Sequence, residues 1–438
     1  MFIADKHPLF YKETSMFKIA TNPGQTRIRD IHTDKFKGVQ ISLCFIGDFK
    51  ENNLNERALL PEILTGGNKR LKDRTMIQRE LGSLYGAEIV TSTRKIGFQS
   101  VISFDLIFPS EKHLPGNPVI FPQALSLLKE LVFQPDFGGC DYFKDLFKLE
   151  KRLLRESLEN DYHDRFLYGY DCFRKRMFPK ELFRFSARGE LETIDNLTGE
   201  SLVKAYHDMI DNDRIMIYSI GDFDRKYLNI LEDLEKYGNN DSLLRPIDDE
   251  GILPDIPTES EDLADVHQSR IYMGYRTKIV PGHPLYHALI VANVLLGDSD
   301  QSSLFLELRE KRHLGYDVFS NYIGDKGVLF VFAAIEPGKE IEAKELAKRI
   351  VSGMKDREIS EKDLEMAKEV IVKRIHQAAD SPSSTVNRIF FYDLFYNKEY
   401  DMQSSIEDIR RVSKEDVRQA YSSLFLDTVY VNKRRGIL

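Results

Sequence analysis

Two segments 215 residues apart, LTGESLVKAYHDMI (197–210) and VSKEDVRQAYSSLF (412–425), align along their whole length. A repeat at half the chain length constrains the fold more than any single motif does. It calls for one unit built twice, whereas a solenoid would repeat every 20–50 residues or so. Each segment opens on Thr or Ser with a Glu or Asp two or three residues on, the pattern of a helix N-cap. Each then runs into a strand, RIMIYSIGDF and TVYVNKR.

The order of elements repeats too. VQISLCFIGDF (39–49) reads as a buried strand, followed by helices over 56–67 and 75–86. Strands over 88–94 and 98–108, a helix over 121–135 and a longer one at about 140–160 complete the first set. The second set is a strand over 269–277, helices over 283–297 and 302–315, strands over 316–323 and 327–337, and helices over 341–354 and 360–376. The class is α+β: two duplicated α/β-sandwich units with antiparallel-dominated sheets and helices packed on one face. The units span 1–234 and 267–438, and the acidic stretch 235–266, which lacks sustained periodicity, reads as a linker.

Charge narrows the function. With 62 basic against 70 acidic residues the net charge is -8, which opposes a general nucleic-acid binder. The densest basic runs, KRLLR (151–155) and NKRRG (432–436), read as a solvated helix face and a tail. Cys44, Cys140 and Cys172 form no CxxC pair, as expected of buried thiols in a reducing cytoplasm. The start, MFIADKHPLFYKE, lacks a signal-peptide pattern, and no eighteen apolar residues run together. A cytoplasmic protein with neither membrane nor nucleic-acid partners is the expectation.

In SSLFLELREKRHLGY (302–316), Arg309 and Tyr316 lie seven positions apart. At about 100° per residue both would project to the same side. A permanent cation and a neutral hydroxyl donor can hold a developing oxyanion, but cannot attack a carbonyl or activate water. The plainer alternative is an Arg capping its helix and a Tyr starting a core strand.

The duplicated unit, GGNKRLKDRTMIQRELGSLYGAEIVTSTRK (66–95) and LLGDSDQSSLFLELREKRHLGYDVFS (295–320) together resemble the insulinase-type M16 metallopeptidases. The likeness is greatest to their half-length branch, whose members pair into clamshell dimers. It implies that Arg309 and Tyr316 bind the substrate carbonyl. Active members carry His-x-x-Glu-His on the first helix, two imidazoles one turn apart for Zn²⁺ and a Glu as base. Counting back from Gly67-Asn68-Lys69, that pentad falls on Ala58-Leu59-Leu60-Pro61-Glu62. The third ligand, a glutamate on the long helix, falls on Ser157, with Glu150 matching an acid one heptad earlier; a one-residue shift gives Glu156 instead. This chain is therefore expected to bind no metal.

Other candidates are weaker. His283 and His287 have i, i+4 spacing, but Pro284 marks a helix start there. Glu156, Glu159, Asp161, His163 and Asp164 read as a solvated helix end, and His207 with Asp211 likewise. The cysteines lack a neighbouring His, and no G-x-S-x-G, Walker or G-x-G-x-x-G motif occurs.

What the resemblance implies is half of an active site. The expected role is a non-zinc subunit giving Arg309 and Tyr316 in trans, while a zinc-motif-bearing M16 paralogue holds the metal. A homodimer is expected when that paralogue is absent, and a peptide or unfolded protein is the expected substrate. The half-length bacterial members it looks most similar to are associated with 5-aminopentanol modification of elongation factor P, or with maturation of ribosomal peptides. The alternative is an inactive scaffold that holds a peptide by strand addition at EIVTSTRKIGFQSVISFDL (88–106).

Overall fold

The computed structural model describes residues 10–13, 18–21, 28–116, 118–138, 141–232, 234, 237–238, 256–264, 266–396 and 398–434. Cys140 and most of 235–255 lie outside them.

The first sheet is built from β1 (Phe10–Glu13), β2 (Lys18–Thr21), β3 (Ile28–His32), β4 (Gly38–Asp48), β5 (Glu88–Ile96), β6 (Gln99–Pro109) and β7 (Arg214–Gly221). The second holds β8 (Thr258–Ala264), β9 (Ser269–Arg276), β10 (Gly315–Ile323), β11 (Val328–Ile335) and β12 (Phe425–Arg434). Their orders are β1-β2-β3-β7-β4-β6-β5 and β10-β11-β9-β12-β8. Reversed, the second order matches β3-β7-β4-β6-β5 strand for strand. In each sheet one pairing is parallel, β3 with β7 and β12 with β8, and the others are antiparallel. The repeat in the sequence is thus a repeat of topology, with antiparallel pairing dominant as expected.

The helices are α1 (Leu54–Leu64), α2 (Arg74–Ser83), α3 (Phe121–Phe133), α4 (Asp141–His163), α5 (Arg165–Met177), α6 (Gly199–Asn212) and α7 (Leu228–Glu232). They continue as α8 (Tyr286–Leu296), α9 (Glu340–Gly353), α10 (Glu361–Ala378), α11 (Pro382–Tyr396), α12 (Met402–Arg411) and α13 (Lys414–Ser422). The two aligned segments form α6 and α13. Each is closed by a reciprocal capping box, Thr198 with Ser201 and Ser413 with Asp416.

One compact unit takes residues 1–158, 186–245 and 380–390, and the other takes 159–185, 246–379 and 391–438. The units are therefore not the two halves of the chain. Within the first, Ile41, Leu43 and Phe45 of β4 face α1, α3 and α6 in one apolar core. The alternate residues of β4 are buried as well. Gln40 Oε1 accepts a hydrogen bond from Ser383 at 2.8 Å, and the Tyr218 ring of β7 lies 6.0 Å from Phe390. Within the second unit, α5 covers the sheet in the same way: Phe166 and Phe173 pack on Tyr272, whose hydroxyl donates to the carbonyls of Arg165 and Phe166. Gly169 and Gly274 permit this approach. A Cβ on Gly169 would stand 2.2 Å from the Tyr272 hydroxyl, and one on Gly274 2.4 Å from Met177 Sδ.

The stretch read as a linker contributes β8, an edge strand pairing in parallel with β12. Its burial alternates through TESEDLA, with Glu259 held by Lys344 and Lys348. The acids there charge a sheet edge, as edge strands commonly do.

Candidate functional site

Both signature regions rest on local backbone chemistry. α1 contains Pro61, which has no N–H to give to the Arg57 carbonyl one turn back. Thr93 of β5 supplies the donor instead, its Oγ1 3.4 Å from Arg57 O. The Arg57 side chain is buried and donates to Asp213 Oδ2 at 2.6 Å and to Ser100 Oγ at 2.8 Å. After α1, Asn68 turns the chain by accepting the amides of Arg70 and Leu71 at 2.9 and 2.8 Å. Gly66 lets this corner meet α4, since a Cβ there would stand 2.8 Å from Leu146 Cδ1.

Charge organises the positions on which the zinc motif is expected to fall. Arg74 Nη2 lies 2.9 Å from Glu62 Oε2 and 3.0 Å from Glu150 Oε1. Thr91 donates to the other oxygen of Glu62 at 3.1 Å. Ser157 Oγ accepts from Arg188 Nη2 at 2.8 Å. Burial pushes the Glu150 carboxyl above the usual range, Arg74 opposes that shift and the Glu62 charge adds to it.

These residues do not fit a zinc ion. Ala58 and Pro61 offer no donor atom, and Glu62 and Ser157 are each held by a guanidinium. Catalytic zinc takes three protein ligands and an open position. Here a fixed positive charge already lies between the carboxylates and would repel a second cation. Among the described residues, no group of three or more His, Cys, Asp or Glu is placed to hold a metal ion.

Arg309 and Tyr316 are set by a different geometry from the one their spacing predicts. Phe305–Lys311 is a π-helix, so the 100° step does not apply, and it ends before His313, whose φ is +52°. Tyr316 is the extra residue of a β-bulge: Gly315 faces Ile335, Asp317 faces Ala334, and Tyr316 has no partner across β11. Bulges re-aim side chains, and Tyr316 is 67% exposed. The Arg309 guanidinium lies 4.7 Å from the Phe305 ring centroid and 3.8 Å from Glu310 Oε1. No hydrogen bond, ion pair or ring contact joins Arg309 to Tyr316 among the described residues. Each is a donor not hydrogen-bonded to the protein, available to an incoming acceptor.

The remaining candidates take structural places. His283 Nδ1 accepts the Leu285 amide at 3.1 Å, and burial lowers the pKa of His287. Asp164 caps α5, accepting the amides of Phe166 and Leu167. Burial pushes the Cys44 thiol up to about 12, while Cys172 is half-buried on α5. Sequence reasoning missed Arg74 and Arg188, the cations that hold Glu62 and Ser157. Arg74 lies inside the signature stretch 66–95, but its partners Glu62 and Glu150 come from two other elements, α1 and α4.

The duplicated sheets and their packed helices define a peptidase-like fold of the M16 type. Residues 196–371 match the Peptidase M16 inactive domain. Over that stretch the chain is similar to the M16 peptidase family. It is 29% identical over 405 residues, covering 92% of this chain and 94% of the relative, to "Probable inactive metalloprotease YmfF" of Bacillus subtilis. It is 24% identical over 310 residues to "Uncharacterized zinc protease YmxG" of the same organism, covering 69% of this chain and 73% of that one. A Peptidase M16 inactive domain structure from Pseudomonas fluorescens superposes with a TM-score of 0.76 at 17% identity, covering 98% of both chains. The chain is peptidase-like in fold, and no helix among its described residues is long and apolar enough to cross a membrane.

Proposed function

We propose that this chain is the non-zinc subunit of a two-chain M16 metallopeptidase. It presents Arg309 and Tyr316 to the carbonyl of a bound peptide, and a zinc-motif-bearing M16 paralogue holds the catalytic metal. The observation that carries the reading is the contrast between the two regions: the zinc positions are tied up by guanidinium groups, whereas Arg309 and Tyr316 are exposed donors with no hydrogen-bond acceptor. Charge stabilisation of a tetrahedral intermediate from the side opposite a metal-bound water is chemistry that such a pair can supply. The likeness of this chain to both a zinc protease and an inactive metalloprotease of one organism supports a division of labour. We place the reaction in the cytoplasm, in peptide maturation or in processing linked to elongation factor P modification, with the chain a homodimer in the paralogue's absence.

A second reading, a peptide-holding scaffold, draws on β5. This strand closes one edge of the first sheet, where an extended peptide can pair with its backbone.

The test is to mix the purified chain with the zinc-motif paralogue of its organism and follow a quenched fluorescent peptide library. Cleavage is expected only in the mixture, falling about 10²-fold or more for Arg309→Ala or Tyr316→Phe. Cleavage indifferent to both substitutions, or two chains that never associate, overturns the subunit reading in favour of the scaffold.

A further inference from the structure

The second unit holds a cavity of about 180 Å³ bounded by α8, the π-helix, the end of α9 and the start of α10. Its floor is apolar, made by Val294, Leu306, Met354, Ile359 and Val370. An apolar void of about 150 Å³ is enough for a benzene-sized guest, so this one accepts a branched or thioether side chain of four or five heavy atoms.

Its rim is charged in an unusual way. Arg357 donates to the neutral Ser303 hydroxyl and forms no ion pair among the described residues. Asp300, Glu358 and Asp363 stand on the same rim, and none of the three has an ion-pair partner among the described residues. An uncommitted guanidinium suits a carboxylate, and uncommitted carboxylates suit an ammonium. A ligand bearing only one of those charges gains from one part of the rim and is opposed by the other.

We propose that this cavity binds a free apolar α-amino acid of leucine or methionine size. Its carboxylate meets Arg357, its ammonium meets the rim acids and its side chain fills the apolar floor. Leu306 of that floor belongs to the π-helix that carries Arg309. The proposal goes beyond the peptidase reading and does not depend on a partner chain.

The experiment is titration calorimetry on the intact chain with L-leucine and L-methionine, beside 4-methylpentanoate and 3-methylbutylamine, which each lack one charge. Saturable binding of leucine is expected, at least about tenfold tighter than either analogue. Arg357→Met is expected to weaken leucine at least about tenfold with the melting temperature held, because Arg357 is exposed. Val370→Trp is expected to abolish binding by filling the floor. No saturation of the wild-type chain by about 10 mM leucine or methionine overturns the proposal, as do analogues that bind equally well. Leucine binding that survives Val370→Trp overturns it too, since the ligand would then lie elsewhere.

Discussion

Arg74 and Glu150 are joined by a 3.0 Å contact between a half-exposed guanidinium and a carboxylate that is only 3% exposed. The same nitrogen also serves Glu62, so a single cation offsets two acids. This arrangement explains how the unit keeps an acid buried at Glu150.

Removing that cation leaves Glu150 buried and uncompensated. Arg74→Met is expected to cost about 1–3 kcal/mol, read from the denaturant midpoint at pH 7. Glu150→Gln is expected to be far milder, because an amide carries no charge to desolvate. Equal costs for the two substitutions would remove Arg74 from this role.

The same acid has a pH signature. Its folded pKa is raised above the unfolded value of 4.5, so the ionised form is the disfavoured one in the fold. Its contribution to stability is fully present below pH 4.5 and is lost as pH rises through the raised pKa. Arg74→Met raises that pKa further and widens the window upward. The wild type minus Glu150→Gln stability difference should therefore rise in the wild type's favour on acidification towards pH 4.5, because only the wild type sheds a buried charge there, and urea titrations across pH can follow it.

Arg57 and Asp213 form a fully enclosed ion pair, and burial pushes the Asp213 carboxyl up against the opposing pull of Arg57. Arg57→Met is expected to cost about 3–5 kcal/mol, whereas the double change Arg57→Met with Asp213→Leu should recover most of that loss. A double-mutant cycle in urea measures the difference.

Pro61 creates the vacancy that Thr93 fills. Pro61→Ala is expected to stabilise the chain by about 1–3 kcal/mol as the missing helix hydrogen bond returns. Thr93→Val should cost about 0.5–1.5 kcal/mol in the wild type and close to nothing on the Pro61→Ala background. Additive effects in that cycle would show that the two residues act separately.

Tyr316→Phe and Arg309→Ala are expected to leave stability within about 0.5 kcal/mol, because both side chains are exposed and neither is hydrogen-bonded to the protein. A melting curve for each, run beside the cleavage assay, separates lost chemistry from lost fold.

The duplication, the strand-helix order and both helix caps of α6 and α13 were legible from the residues, because they depend on spacing and on neighbours a few positions away. That Ala58 and Pro61 carry no side-chain donor for a metal was equally plain, whatever the fold. The reading left out α5, α11 and α12, and α5 and α11 matter here for the sheet faces they cover. β8 was hidden because an acidic edge strand exposes most of its side chains and carries little apolar periodicity.

The sequence by itself determined that one α+β unit is made twice and that this chain lacks a metal-binding pentad, since pattern and side-chain chemistry are local properties. Only the tertiary structure decided which residues hold Glu62 and Ser157, and how Arg309 and Tyr316 are aimed. Those outcomes depend on partners drawn from distant elements, on a π-helical turn and on a bulge. A spacing rule for ideal helices cannot anticipate them, because each is set by what packs against it.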